Sequence, residues 1–372
     1  MSDIAASTIA EPNETNPRPT RARRRRAAHE GYRGIWIATL AVFGAGAVFA
    51  DGTLTSAALS SMLPFASVLA LAAAGQTLVI QSRGIDLSVP GVMSLTALVF
   101  AKQTASGTPI PLAILAACGV ALVCGALNGV LVAVVGITPL VATLATGSLL
   151  VGAEHSYSSG FPITVTDSIH HAASSSRLGI PNTVYLAVLV VAAVAVISRF
   201  TVVGRRFVAA GASPATARAA GIRVTRYTIG TYMCAALCYA AAGMVLAAYV
   251  GTADIGAGNS YLLPVIAAVV IGGTAFTGGR GSVVATAVGA LFLSQLDQLL
   301  FTMGLPTSLR LLVQSCALVA ATGARRLRST RPFTGSAPRK TQMNGYETSQ
   351  PTDIPPEPDP DESRLSSSKA RG

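Results

Sequence analysis

Between residues 35 and 323 the chain alternates long apolar runs with short polar breaks. Many of the runs approach about 20 residues, enough to cross a hydrocarbon layer about 30 Å thick. Candidate spans fall at 35–50, 60–81, 87–102, 110–135, 138–153, 183–199, 227–250, 261–276, 282–301 and 307–323. The third, fifth and eighth are short for a straight membrane helix. Such spans are tolerated where neighbours or a water-filled cavity satisfy the backbone. The pattern predicts an all-α fold, a polytopic membrane bundle of about 10 transmembrane helices.

Composition supports this reading and excludes a soluble multi-domain chain. Of 372 residues, 51% are hydrophobic, 12% charged and 6% aromatic. Helices rich in Ala, Gly, Val and Leu allow close backbone approach between spans. The formal net charge of +11 sits in tails and loops, so it argues for membrane orientation rather than for nucleic-acid binding. One side would hold the run Arg23–Arg26, Arg83, the loop 199–226, Arg280, and Arg325, Arg326 and Arg328; the other has Lys102 and Arg177 as its clear cations. That asymmetry places both termini in the cytoplasm. Residues 1–34 read as a disordered basic cytoplasmic tail rather than a secretory signal. Residues 329–372, rich in Pro, Ser, Asp, Glu and Gln, read as a second disordered tail.

The loop 199–226 is the longest basic interruption. Within it Ser213 suits an N-cap, Pro214 a first helical position, and Gly221 a left-handed helix end. A helix this short needs packing from elsewhere. By itself it reads equally as a spacer between spans or as a helix that docks into another protein's groove.

Other polar interruptions mark candidate pathway or gate positions. Asp86 lies in GQTLVIQSRGIDLSVPGVMSL (Gly75–Leu95), either as a proton-relay carboxylate or as a cap on the third span, with Arg83 as its local partner. Gly125 and Gly129 form a G-x-x-x-G pair around Asn128, whose amide suits a bond between helices. Thr143 and Thr146 lie near the middle of the fifth span and fit pathway lining or helix packing alike. The segment IGGTAFTGGRG (Ile271–Gly281) holds Gly272, Gly273, Gly278 and Gly279. It lacks the G-x-x-x-x-G-K-[ST] spacing of a phosphate loop, so it reads as a tight turn. The loop 154–182, with Glu154, His155, Asp167, His170 and His171, has no ligand spacing for a metal and reads as solvated. Cys118, Cys124, Cys234, Cys238 and Cys316 read as small apolar filler. No Ser/His/Asp order, H-E-x-x-H or paired membrane carboxylates mark an enzyme. Asp297 is an isolated late-span acid, thin ground for a stand-alone ion-coupled transporter or channel, which is the rival class.

Four segments in order resemble the permease subunits of ABC importers of the ribose, xylose and galactoside type, a group related to branched-chain amino-acid permeases. They are GQTLVIQSRGIDLSV (Gly75–Val89), LNGVLVAVVGITPLVATLATG (Leu127–Gly147), GRRFVAAGASPATARAAGIRV (Gly204–Val224) and IAAVVIGGTAFTGGRGS (Ile266–Ser282). The resemblance spans roughly residues 60–323 and implies a permease domain over 35–323. It implies a non-catalytic, multi-pass subunit of the bacterial inner membrane. ATP and magnesium would be bound by cytoplasmic P-loop ATPase partners. An extracytoplasmic binding protein would deliver a small solute, a monosaccharide by family weight, to this chain paired with a second copy or close paralogue. The coupling helix would be Pro214–Ala220, with Arg205, Arg206, Ser213, Pro214, Arg218, Ala219, Gly221 and Ile222 serving the ATPase contact.

Overall fold

The computed structural model describes residues 21–329; of the expected tails at 1–34 and 329–372, residues 1–20 and 330–372 lie outside the described residues. Thirteen α-helices account for most of the described chain. They are α1 (Arg21–Phe49), α2 (Ser56–Gln81), α3 (Val89–Ala105), α4 (Ile110–Val130), α5 (Pro139–Ser158), α6 (Asp167–Ser174) and α7 (Asn182–Phe200). After them come α8 (Val202–Ala212), α9 (Pro214–Ala219), α10 (Val224–Val250), α11 (Leu262–Ile271), α12 (Val283–Thr302) and α13 (Thr307–Ser329). The first helix takes in the run Arg23–Arg26, which the sequence reading placed in the tail.

Local chemistry accounts for the ends. Thr55 Oγ1 accepts a hydrogen bond from Ala58 N at 3.3 Å to open α2, and Ser282 Oγ accepts from Ala285 N at 3.3 Å to open α12. Proline occupies the first turn of α3, α4, α5 and α9, where its missing N–H is harmless. A π-turn over Leu131–Val135 carries α4 on to Gly136, whose φ of 84° stops it.

Among the described residues, five helices are long and apolar enough to cross a membrane: α2, α4 with its π-turn, α7, α10 and α12. The other predicted spans coincide with α1, α3, α5, α11 and α13, which miss that length or hydropathy. The eighth is the most broken, with a 3-10 turn over Ala257–Tyr261 feeding the ten-residue α11.

The core is organised about α10, which packs against α2, α3 and α4, while α12 packs on α2, α1 and α11. Glycine sets the spacing. A Cβ on Gly125 would stand 2.6 Å from the Tyr232 carbonyl oxygen, and one on Gly129 2.7 Å from Ile229 Cα. The G-x-x-x-G pair of α4 therefore lies directly on the α10 backbone. A Cβ on Gly75 of α2 would meet the Ala235 carbonyl oxygen at 2.7 Å, on the same helix.

The segment 154–182 is more ordered than the solvated loop expected. It holds α6 and three two-residue strands, β1 (Ile163–Thr164), β2 (Ser176–Arg177) and β3 (Ile180–Pro181). β1 pairs antiparallel with β4 (Thr252–Ala253), just past α10, and β2 pairs with β3. His170 Nδ1 meets the Ala248 carbonyl at 3.2 Å, and Gly256 N donates to Glu154 Oε2 at 2.9 Å. These residues tie connecting segments together and are structural in that sense.

Candidate functional site

At the end of the bundle that carries Arg83, three polar segments meet: the α2–α3 linker, the α8–α9 junction and the glycine-rich turn after α11. Their contacts begin with α9. Ser213 Oγ accepts from Thr216 N at 3.4 Å and lies 2.8 Å from Thr216 Oγ1. Pro214 opens the helix. Gly221, at φ 76°, closes it, with Gly221 N bonded to Arg218 O and Ile222 N to Ala217 O, each at 2.9 Å. Ala217 is buried, while Ala215, Thr216, Arg218, Ala219, Ala220 and Gly221 are exposed. One face of α9 is thus seated and the rest is presented outward.

The seat is α8, a helix that the sequence reading missed. Thr201 Oγ1 caps it by accepting from Gly204 N at 3.1 Å. It buries Gly204, Phe207, Ala210 and Gly211, a spacing of three and four residues that was present in the sequence. The last carbonyls of a helix lack partners within it. Here Arg83 supplies donors: its Nε donates to Gly211 O at 2.8 Å and its Nη2 to Ala212 O. Arg83 itself sits at φ 68°. It does not form an ion pair with Asp86, which corrects the expected partnership.

The glycine-rich turn closes the same junction. Gly279 N donates to Gln81 O at 2.8 Å. A Cβ on Gly279 would lie 2.5 Å from Ala212 Cα, and one on Gly278 would collide with the Arg83 side chain. Both have positive φ, 80° for Gly278 and 68° for Gly279, so only glycine fits without strain. Gly273, at φ 98°, ends the helical path from α11, and Gly272 packs its Cα against the Thr286 backbone of α12. Arg205 Nη1 donates to Phe200 O at 3.2 Å, whereas Arg206 and Ile222 line a cavity of about 600 Å³ between α7, α8 and α10.

A second, fully buried polar cluster lies inside the α2–α3 linker. Asp86 Oδ1 accepts from Ser88 N at 2.8 Å and from Ser88 Oγ at 2.6 Å, so the carboxylate closes a turn onto Ser88, the N-cap residue of α3, without bonding the helix's own first turn. Burial pushes the Asp86 carboxyl above its usual range, against the pull of both Ser88 bonds. Asn128 Nδ2 donates to Ser88 Oγ at 2.8 Å, and Leu87 N donates to Thr143 Oγ1 at 3.0 Å. Asp86 and Asn128 therefore meet at Ser88 in one node that joins the linker to α4, while Thr143 ties the adjacent linker backbone to α5. Thr146, one turn along α5, is buried but makes no hydrogen bond to the node.

Elsewhere Asp297 pairs with Arg310, Nε to Oδ1 at 3.5 Å, and accepts from Gln314 Nε2 at 2.9 Å. Among the described residues no three His, Cys, Asp or Glu side chains gather into a possible metal site.

Residues 58–322 match the family described as branched-chain amino acid transport system / permease component. The probable ABC transporter permease protein y4mJ of Sinorhizobium fredii is 34% identical over 274 residues, 71% of this chain and 82% of its own length. The ribose import permease protein RbsC of Bacillus subtilis is 34% identical over 264 residues, 70% of this chain and 82% of its own. The galactofuranose transporter permease protein YtfT of Escherichia coli is 33% identical over 274 residues, covering 73% of this chain and 80% of its own. No solved structure matches the chain. A family match over the helical core, and relatives that share most of it, place this chain among the branched-chain amino acid transport system permease components: it belongs to that family and is a permease subunit of an ABC importer.

Proposed function

We propose that the chain forms half of a monosaccharide pathway across the bacterial cytoplasmic membrane, with the α8–α9 loop receiving the stroke of a cytoplasmic ATPase. The solute class rests on relatives named for ribose, galactofuranose and fructose import. The single observation that carries the coupling role is the seating of α9. It is capped at both ends, buries Ala217, exposes four of its six residues, and is tied through α8 to Arg83 of the α2–α3 linker and to the glycine-rich turn.

In this reading α1, α2, α3, α4, α5, α7, α10, α11, α12 and α13 each cross the bilayer, which returns both termini to the cytoplasmic side. The Arg83 end faces the cytoplasm in keeping with its arginines. An extracytoplasmic binding protein delivers solute to the end that carries α6 and the β1–β4 pair. A second copy or close paralogue completes the pathway. Partner ATPases bind ATP and magnesium; this chain contributes differential contacts in outward-open and inward-open states.

The test is Ala217→Pro. Ala217 N donates to Ser213 O at 2.9 Å, the first bond of α9, and proline removes that donor. ATP-dependent uptake is expected to fall to background while the chain still inserts into membrane. Normal uptake in the variant removes the coupling assignment. Solute-specific flux through the purified chain without ATPase would instead establish a stand-alone carrier.

A further inference from the structure

The cavity of about 600 Å³ flanked by α7, α8 and α10 shares Arg206, Gly221 and Ile222 with the expected ATPase contact, which leaves its apolar depth without an occupant. Its inner wall is apolar, formed by Leu78, Val194 and Phe207 among others, and its rim carries Arg206, Arg223 and Arg226. Among the described residues no acidic side chain lines it. The wall runs on without a break to Ile197 and Val203, which are 54% and 59% exposed, and so to the outward apolar face of α7. An apolar slot opening toward lipid, with three guanidinium groups at its mouth, matches one ligand chemistry: acyl chain within, phosphate at the rim.

We propose that this cavity holds an anionic phospholipid of the cytoplasmic leaflet. Arg206, Arg223 and Arg226 would take its phosphate, and an acyl chain would lie along Leu78, Val194 and Phe207. The inference rests on the membrane orientation given under Proposed function. Guanidinium groups suit phosphate oxygens because their N–H donors are fixed in a plane. The anionic inner leaflet supplies the charge, and basic pockets between helices on that side are built for such headgroups. Ala220, Gly221 and Ile222 also line the cavity. The occupant therefore braces the exit of α9, and lipid composition becomes an input to coupling.

The experiment uses the purified full-length chain in micelles doped with phosphatidylglycerol or phosphatidylcholine, read by native mass spectrometry. Phosphatidylglycerol is expected to be retained in preference. The double substitution Arg223→Gln and Arg226→Gln is expected to weaken that preference roughly thirty-fold, at about 1 kcal/mol per arginine. The double lysine variant should restore most of it, and Arg199→Gln, outside the cavity, should leave it intact. If the double glutamine variant does not stay monodisperse, Arg226→Gln alone gives the reading. Equal retention of both lipids, or full preference in the glutamine variants, overturns the proposal. So does displacement of bound phosphatidylglycerol by added inorganic phosphate, or by the partner ATPase, which would make the cavity a protein-docking groove. Failure here with ATP-dependent uptake intact sinks the lipid site alone. Labelling of an Arg223→Cys variant from outside intact cells would sink the orientation and the lipid site together.

Discussion

Arg83 concentrates the chemistry of its end of the bundle in one side chain. Its fork satisfies two terminal carbonyls of α8, and its positive φ turns it away from the linker that follows. Arg83→Ala should leave Gly211 O and Ala212 O to water, loosening the α8–α9 junction by about 1 kcal/mol. The expected readout is reduced ATP-driven uptake at unchanged protein level. Arg83→Lys, which has the charge without the planar fork, should recover only part of it. Sequence proximity suggested Asp86 as the partner, and proximity misled because a left-handed residue swings its side chain off the local path. Asp86 itself was legible as a helix-start acid. Its oxygen serves Ser88 and no cation, so Asp86→Asn should retain the turn and cost little stability in a thermal melt. Should uptake collapse in that variant while the melt holds, the carboxylate does more than hold α3.

At the scale of elements, α9 survives on its caps and its seat. Six residues are too few for an autonomous helix. Ser213→Ala removes the N-cap and should weaken the element by about 1 kcal/mol, visible as faster hydrogen exchange at Thr216 and Ala217. Ser213→Asp should preserve it. Ser213, Pro214 and Gly221 made this helix readable because capping chemistry is local. α8 escaped notice for the opposite reason: its capping threonine directly follows α7, so helix seemed to run on into loop. Only the burial of Gly204, Phe207, Ala210 and Gly211, a tertiary property, separates the two. The same holds for Gly278 and Gly279. Their density announced a turn, but nothing local said that the turn would close on Ala212, more than sixty residues earlier.

For the whole molecule, the apolar rhythm marked the helices well, and the arginine distribution gives the orientation proposed above. Cysteine introduced at the exposed Arg218, in a background lacking the five native cysteines, should react with membrane-impermeant maleimide only after the cells are opened. Reaction in intact cells would invert the topology. What the rhythm did not reveal is how little cushioning separates the helices around α10. Gly75, Gly125 and Gly129 bring two neighbours onto that helix main chain to main chain, and the Met93 backbone presses on Gly243 from a third. A joint without side-chain padding has no slack to flex. Because α10 starts three residues after Gly221, which closes α9, a push delivered there under the proposed coupling would shift the assembled rods together, as one casting. Under the pairing proposed above, the aperture for solute opens along the seam between two such castings, and substitutions along that seam, rather than within either block, are where the transport cycle should prove most sensitive.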